Sequence, residues 1–339
     1  MTKVILAGQY PAHTYETLQE LLKDLPVELK AVDTPEAYEA MTDAEIMILR
    51  IFKAPEAVIA RNPKLKMIMR WGAGFDSVDI EAAGKRGILV TNTPGANADA
   101  VSELAVLLML AVGRKLVCHT DCLRKGDWSK NEFINSSYTL MNKTVGILGA
   151  GNIGRKVAQR AQAFGAKTVY YDPFRLSEER EKAFNLKYMP LDELLPICDV
   201  ITLHLPLTDE TKHLIDGAAI EKMKPGAIVI NTARGGLVDD CALFAAIQNG
   251  KLLGAGLDGV EREPLQTDDE LFTNDNIIVT PHVGGGTADS GEAIMPMLVE
   301  DIRLFLTGSE PRFVVTRQYL AKESPFASES RENRTGPVD

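Results

Sequence analysis

No apolar run in this chain of 339 residues approaches the ~20 residues that a membrane-spanning helix needs. The first residues, Met1-Thr2-Lys3-Val4-Ile5-Leu6-Ala7, pass straight into a strand-like pattern and lack the form of a secretory leader, so a cytoplasmic protein without a membrane partner is expected. Cysteine is scarce: Cys118, Cys122, Cys198 and Cys241 are scattered, which argues against a disulfide framework and for free thiols. Cys118-His119 with Cys122 suggests a metal site only in isolation; no second ligand cluster supports it, and no metal is expected. Excess positive charge is also missing. Lys and Arg total 37 against 47 Asp and Glu, a formal net charge of −10, and without a long basic run a nucleic-acid partner is not expected. An anionic substrate is still admissible, but it requires a locally basic pocket. There is no internal repeat or low-complexity block.

What is present is ordinary for a soluble globular protein, with 45% apolar and 25% charged residues. The length exceeds one typical core, and two domains are expected. Short apolar runs at 3–7, 27–31, 46–49, 66–69 and 88–91 read as strands. Helical patterns at 15–25, 35–41, 55–60 and 80–85 lie between them. Such alternation predicts a parallel sheet with crossover helices, the α/β class. A run rich in Leu, Val, Met and Ala over 99–123 reads as one long helix, apolar nearly all round and so buried, serving as a domain-crossing element, a subunit interface, or both. Residues 125–143 read as a surface loop.

The most informative stretch follows. Val145-Gly146-Ile147-Leu148 runs into Gly149-Ala150-Gly151-Asn152-Ile153-Gly154, then a helical pattern, then a strand at 168–171 ending on Asp172. Gly149 permits a tight turn. Gly151 lets a pyrophosphate approach the backbone, Gly154 lets helix and strand pack closely, and the helix N-terminus offers N–H groups to phosphate. An acid where Asp172 stands accepts hydrogen bonds from the adenosine ribose and repels a 2′-phosphate, favouring NAD over NADP, with Arg175 close by as a possible counter-influence. The first βα unit has no such glycine pattern and suits the substrate side.

Strands at 200–203, 228–231, 254–257 and 277–279 end on polar residues, where open α/β sheets bind ligands. A helix is expected at 287–307 with Pro296 as a kink or boundary, returning to the first unit. The polar tail from Glu323 is expected to be mobile. Arg234, Glu263 and His282 each follow a strand on the ligand side. Taken singly, each also has an ordinary reading: a cap or surface pair, a solvated loop charge, a turn residue. His13, His119 and His213 carry no such signal, while His204 sits near the cofactor end of a strand.

Gly72-Ala73-Gly74-Phe75-Asp76-Ser77, Asn92-Thr93-Pro94-Gly95, Val101-Ser102-Glu103, the Gly149–Gly154 stretch with Asp172, His204-Leu205-Pro206-Leu207-Thr208, Asn231-Thr232-Ala233-Arg234-Gly235, Gly256-Leu257-Asp258, Glu263-Pro264 and Thr280-Pro281-His282 follow one another in order. Together they resemble the D-isomer-specific 2-hydroxyacid dehydrogenases, across about residues 70 to 290. The resemblance implies two doubly wound parallel-sheet domains with a cleft between them: residues 1–97 plus 288–325 for substrate, 98–287 for NAD in a Rossmann fold, and 326–339 as a tail. It implies Arg234, Glu263 and His282 as the catalytic trio, with His282 the acid/base, Glu263 raising its pKa and Arg234 holding the substrate carboxylate. Cofactor contacts fall on Gly149, Gly151, Asn152, Ile153, Gly154, Asp172, Leu205, Pro206, Thr232, Ala233, Arg234, Asp258, His282 and Gly284, with Asp258 at the nicotinamide amide. Substrate contacts fall on Arg50, Trp71, Gly72, Ala73, Gly74 and Arg234. Departures from the family pattern are Gly259 in place of Val, Ser77 in place of Asn, and Gly284-Gly285-Gly286, which suggests a flexible segment after His282. The implied activity is NAD-dependent interconversion of a D-2-hydroxy acid and its 2-keto acid, in a homodimer. The alternative within the same superfamily is an NAD-sensing transcriptional corepressor.

Overall fold

The structure is a computed structural model and describes residues 1–321. The expected mobile tail, 326–339, lies outside the described residues. The described residues form two compact units, Met1–Asn97 with the described segment from Thr287, and Ala98–Gly286.

In the first unit, strands β1 (Thr2–Ala7), β2 (Val27–Val32), β3 (Ile46–Leu49), β4 (Met67–Arg70) and β5 (Leu89–Thr91) form one parallel sheet in the order β2-β1-β3-β4-β5. Ile46-Met47-Ile48-Leu49 is buried on both faces, as a central parallel strand covered by helices must be. One face packs on Leu18 and Leu22 of the helix Thr14–Leu22 and on Ile294, Leu298 and Ile302 of the helix Ala288–Leu306. The latter begins where Thr287 caps Ser290 N (3.4 Å) and continues through Pro296, which is therefore not a boundary. Past it, Val314 bridges Thr91, and Val90 N donates to Thr316 Oγ1 (3.1 Å), stitching the late segment to β5.

In the second unit, β6 (Thr144–Leu148), β7 (Lys167–Tyr171), β8 (Lys187–Tyr188), β9 (Val200–Leu203), β10 (Ala227–Asn231), β11 (Leu252–Leu257) and β12 (Ile277–Val279) form a parallel sheet in the order β12-β11-β10-β9-β6-β7-β8. Strand order reverses between β6 and β9, which is where such sheets bind ligands. The run expected as one helix over 99–123 is two, Ala98–Gly113 and Leu116–Arg124. The break is at Lys115, which adopts φ 53° while its ammonium donates to Leu253 O (3.0 Å) and Asn276 Oδ1 (2.7 Å). The first helix is mostly buried, but Leu107 is 55% exposed, so its apolar girth is not wholly covered within the chain.

Candidate active site

The glycine turn joins β6 to the helix Asn152–Ala163 at the reversal point. Gly149 has φ 100°, and a Cβ on it would lie 2.7 Å from the carbonyl carbon of His204, the first residue after β9. A Cβ on Gly154 would stand 1.9 Å from Gly149 O, so only glycine lets the helix lie this close to the turn. Gly151 is different. Its φ is −70°, and a Cβ there would meet nothing within 4 Å. The protein itself does not need glycine at 151; the bare space in front of its backbone, at a helix start that no side chain caps, fits a pyrophosphate.

Asp172 follows β7 directly. Its Oδ2 accepts from Ala150 N and its Oδ1 from Phe174 N, both at 2.8 Å, so the carboxylate is fixed against the glycine turn with one lone pair left on each oxygen. Arg175 is committed elsewhere. Its guanidinium pairs with Glu181 (Nε–Oε1 2.8 Å, Nη2–Oε2 3.1 Å) and lies over the Tyr188 ring. Leu205 is buried; Pro206 is exposed and offers its carbonyl to Thr211 Oγ1 (2.7 Å). Asn152 orients Arg155 (2.9 Å), and Ile153 packs into the core under the helix. His204 pairs Nε2 with Thr202 Oγ1 at 2.9 Å while its shielded Nδ1 has no partner among the described residues. Burial drops its imidazole to about 3, so it stays neutral.

Beyond β10, Asn231 is a buried hub. Its amide donates to Arg234 O (2.8 Å) and Gly259 O (3.2 Å), and its Oδ1 accepts from Ala233 N (3.1 Å). This ties the loop carrying Arg234 to the loop after β11. The two cross so closely that a Cβ on Gly235 would stand 1.8 Å from Val260 O, and one on Gly259 3.0 Å from Gly235 N. Thr232 Oγ1 is buried at this point without a partner among the described residues. Glu263 and His282 meet across the loops: His282 Nδ1 lies 3.0 Å from Glu263 Oε2 and 3.2 Å from Oε1. That hydrogen bond to the carboxylate raises the His282 pKa against the opposing pull of burial. Burial pushes Glu263 upward, but the His282 bond and charge prevail and hold it below its ordinary value. Arg234 is near enough to act on both, opposing protonation of His282 and favouring ionisation of Glu263.

His282 itself sits at φ 54°. What holds its loop is Asp258, only 3% exposed, whose Oδ1 accepts from Thr280 Oγ1 (2.6 Å) and Val283 N (2.8 Å) and whose Oδ2 accepts from Gly284 N (2.7 Å). A Cβ on Gly284 would lie 2.8 Å from that Oδ2. The Gly284 N–H therefore ties the segment after His282 to Asp258. Neither the bracing by Asp258 nor the hub at Asn231 was anticipated from the residues, because both act between loops distant in sequence.

In the first unit, Trp71 is buried edge-on against Tyr10, with ring centres 5.0 Å apart, and Arg50 donates to Gln9 O. The loop after β4 is pinned by its carbonyls, Ala73 O by Asn92 (2.6 Å) and Gly74 O by Arg70 (3.1 Å). The Gly72 N–H already donates to Thr93 Oγ1 (2.9 Å); those of Ala73 and Gly74 have no partner among the described residues. The trio Cys118, His119 and Cys122 does not converge. Cys118 Sγ faces Asp275 O (3.4 Å), and His119 rests edge-on against Phe133.

Residues 106–284 match the family model for the D-isomer specific 2-hydroxyacid dehydrogenase, NAD binding domain. The chain is 36% identical over 330 residues to glyoxylate reductase of Thermococcus litoralis, covering 95% of this chain and 99% of that one. It is 42% identical over 286 residues to D-3-phosphoglycerate dehydrogenase of Mycobacterium tuberculosis, with 83% of this chain aligned; it spans about half of that longer relative (53%). The crystal structure of D-lactate dehydrogenase from Aquifex aeolicus complexed with NAD and lactic acid superposes with a TM-score of 0.78 at 33% identity, over 90% of this chain and 96% of that one. A glycine turn shaped for a pyrophosphate, an aspartate fixed beside it, and this likeness along nearly the whole chain lead to one assignment: the chain belongs to the D-isomer specific 2-hydroxyacid dehydrogenases, NAD-dependent oxidoreductases of 2-hydroxy and 2-keto acids.

Proposed function

We propose that the protein reduces a small 2-keto acid to the D-2-hydroxy acid, and catalyses the reverse, with His282 as acid/base and Arg234 as the carboxylate anchor. The observation that carries this reading is the His282–Glu263 pair, 3.0 Å apart, on a loop braced by Asp258. NADH, when bound, supplies the hydride. Gly149, Gly151, Asn152, Ile153 and Gly154 would hold its pyrophosphate, Asp172 its ribose, Leu205 and Pro206 the adenosine side, and Thr232, Ala233, Asp258 and Gly284 the nicotinamide side. His282 keeps Nδ1 on Glu263, leaving Nε2 to give its proton to the keto oxygen as charge develops there. Arg234 pairs with the substrate carboxylate and stabilises the same oxygen. For the first unit, the reading assigns substrate contacts to Arg50, Trp71, Gly72, Ala73 and Gly74. Cytoplasmic placement and a homodimer belong to the same reading; the exposed apolar Leu107 on a mostly buried helix supports the latter.

The test is NADH oxidation with a panel of 2-keto acids, glyoxylate, hydroxypyruvate and pyruvate among them. At least one is reduced, and His282→Asn lowers kcat by ~10²–10⁴-fold with NADH affinity little changed. Binding of NADH without turnover of any member would make the chain a cofactor-sensing protein instead.

A further inference from the structure

The loop that carries Glu263 is gripped twice by residues outside the catalytic trio. Glu261 N donates to Asp240 Oδ2 at 2.8 Å, from the first turn of the helix Asp240–Gln248. The Glu261 side chain pairs with His213 Nε2. His213 is itself fixed in a left-handed conformation (φ 50°), with its N–H on Gly236 O (2.7 Å), two residues beyond Arg234. Beside this loop lies a cavity of about 190 Å³, lined by Asp240, Cys241, Glu261, Arg262, Leu265 and Asp269 among others. The loop thus borders empty space into which it can relax if released.

We propose that Asp240 and His213 are positioning residues for the reaction: by clamping Glu261 they hold Glu263 at hydrogen-bonding distance from His282, and they tie that distance to the Arg234 loop. This rests on the acid/base reading of His282. Three charged groups act on that imidazole, Glu263, Arg234 and Asp258, and Glu263 supplies the largest influence, so displacing it moves the imidazole's proton affinity downward.

The experiment compares Asp240→Ala, Asp240→Asn and His213→Ala in the full chain, reading kcat/KM for keto-acid reduction against pH, NADH affinity by fluorescence, and Tm. Asp240→Ala is expected to lose about tenfold or more in kcat/KM at neutral pH, with the alkaline limb shifted to lower pH and NADH affinity unchanged, since sub-ångström misplacement is costly in catalysis. Asp240→Asn keeps a carbonyl acceptor and restores both activity and limb. His213→Ala shows the same shift in smaller measure. A fall in Tm with the limb unmoved would reduce Asp240 to a structural role and overturn the proposal. His282→Asn run alongside separates the two questions: if it stays active the acid/base reading fails, and if it is inactive while Asp240→Ala keeps the wild-type profile, the clamp alone fails.

Discussion

Two histidines stand at strand ends in the second unit, and their surroundings give them opposite habits. His204 is driven neutral by burial, whereas His282 gains a carboxylate and holds its proton more tightly. The Glu263–His282 pair also links pH to stability. His282, raised above its ordinary 6.5, contributes stability that is complete below that value and lost as pH climbs through the folded pKa. Glu263, held below 4.5, contributes stability that is complete above that value and lost as pH falls through its folded pKa. The pair is therefore at full strength between these limits, though its exposure keeps the contribution small. Replacing the charge, Glu263→Gln, removes the support for the imidazolium. The pH profile of keto-acid reduction should then lose its activity at lower pH than wild type, and an alkaline limb left in place would show that Glu263 does not set the proton affinity. Asp240 shows the other sign: burial raises it to about 6, so its ionisation costs stability that is absent below about 3.8 and fully felt above 6.

At the scale of elements, the glycine turn and its helix separate two requirements that a motif merges. Gly154 is there for packing, with a backbone oxygen 1.9 Å from any added Cβ; Gly151 faces open space, and the proposed reading gives that space to the pyrophosphate. Gly154→Ala should therefore cost about 1–3 kcal/mol or more in stability, read as a lowered Tm, because a backbone atom cannot step aside like a side chain. Gly151→Ala should leave Tm at or above wild type while weakening NADH binding, measured by fluorescence titration. Equal behaviour of the two variants would sink the distinction. The strands with continuous apolar runs could be read directly from the residues, as could this turn. Glu178–Ala183 could not: it buries no side chain, so periodicity has nothing to mark. Lys187–Tyr188 is two residues long, too short to carry a pattern. The break at Lys115 was hidden because a long cation gave no hint that it would leave the helix for two carbonyl oxygens near β11 and β12. Arg234, Glu263 and His282 were ordinary one at a time and pointed to chemistry only as a set. Asp258 was visible as an acid at a strand end, but its grip on residues 280–284 is a property of folded loops.

On the scale of the whole molecule, the second unit is one continuous stretch with its own sheet and two apolar clusters, whereas the first is assembled from both ends of the chain. A fragment of residues 98–286 should accordingly fold cooperatively and bind NADH while reducing no keto acid. Circular dichroism and cofactor fluorescence check this; a fragment without defined melting would mean that this unit depends on the first.

The nested arrangement also sets an order of events during synthesis. Five strands leave the ribosome early, yet the helix Ala288–Leu306 that covers one face of their sheet is translated only after the entire inner unit. Between those moments the nascent chain carries an apolar sheet face covered only in part, by the helix Thr14–Leu22, and domains completed earlier generally fold first. The interval is when this protein has most need of a chaperone, and slowing translation across 98–286 would lengthen it.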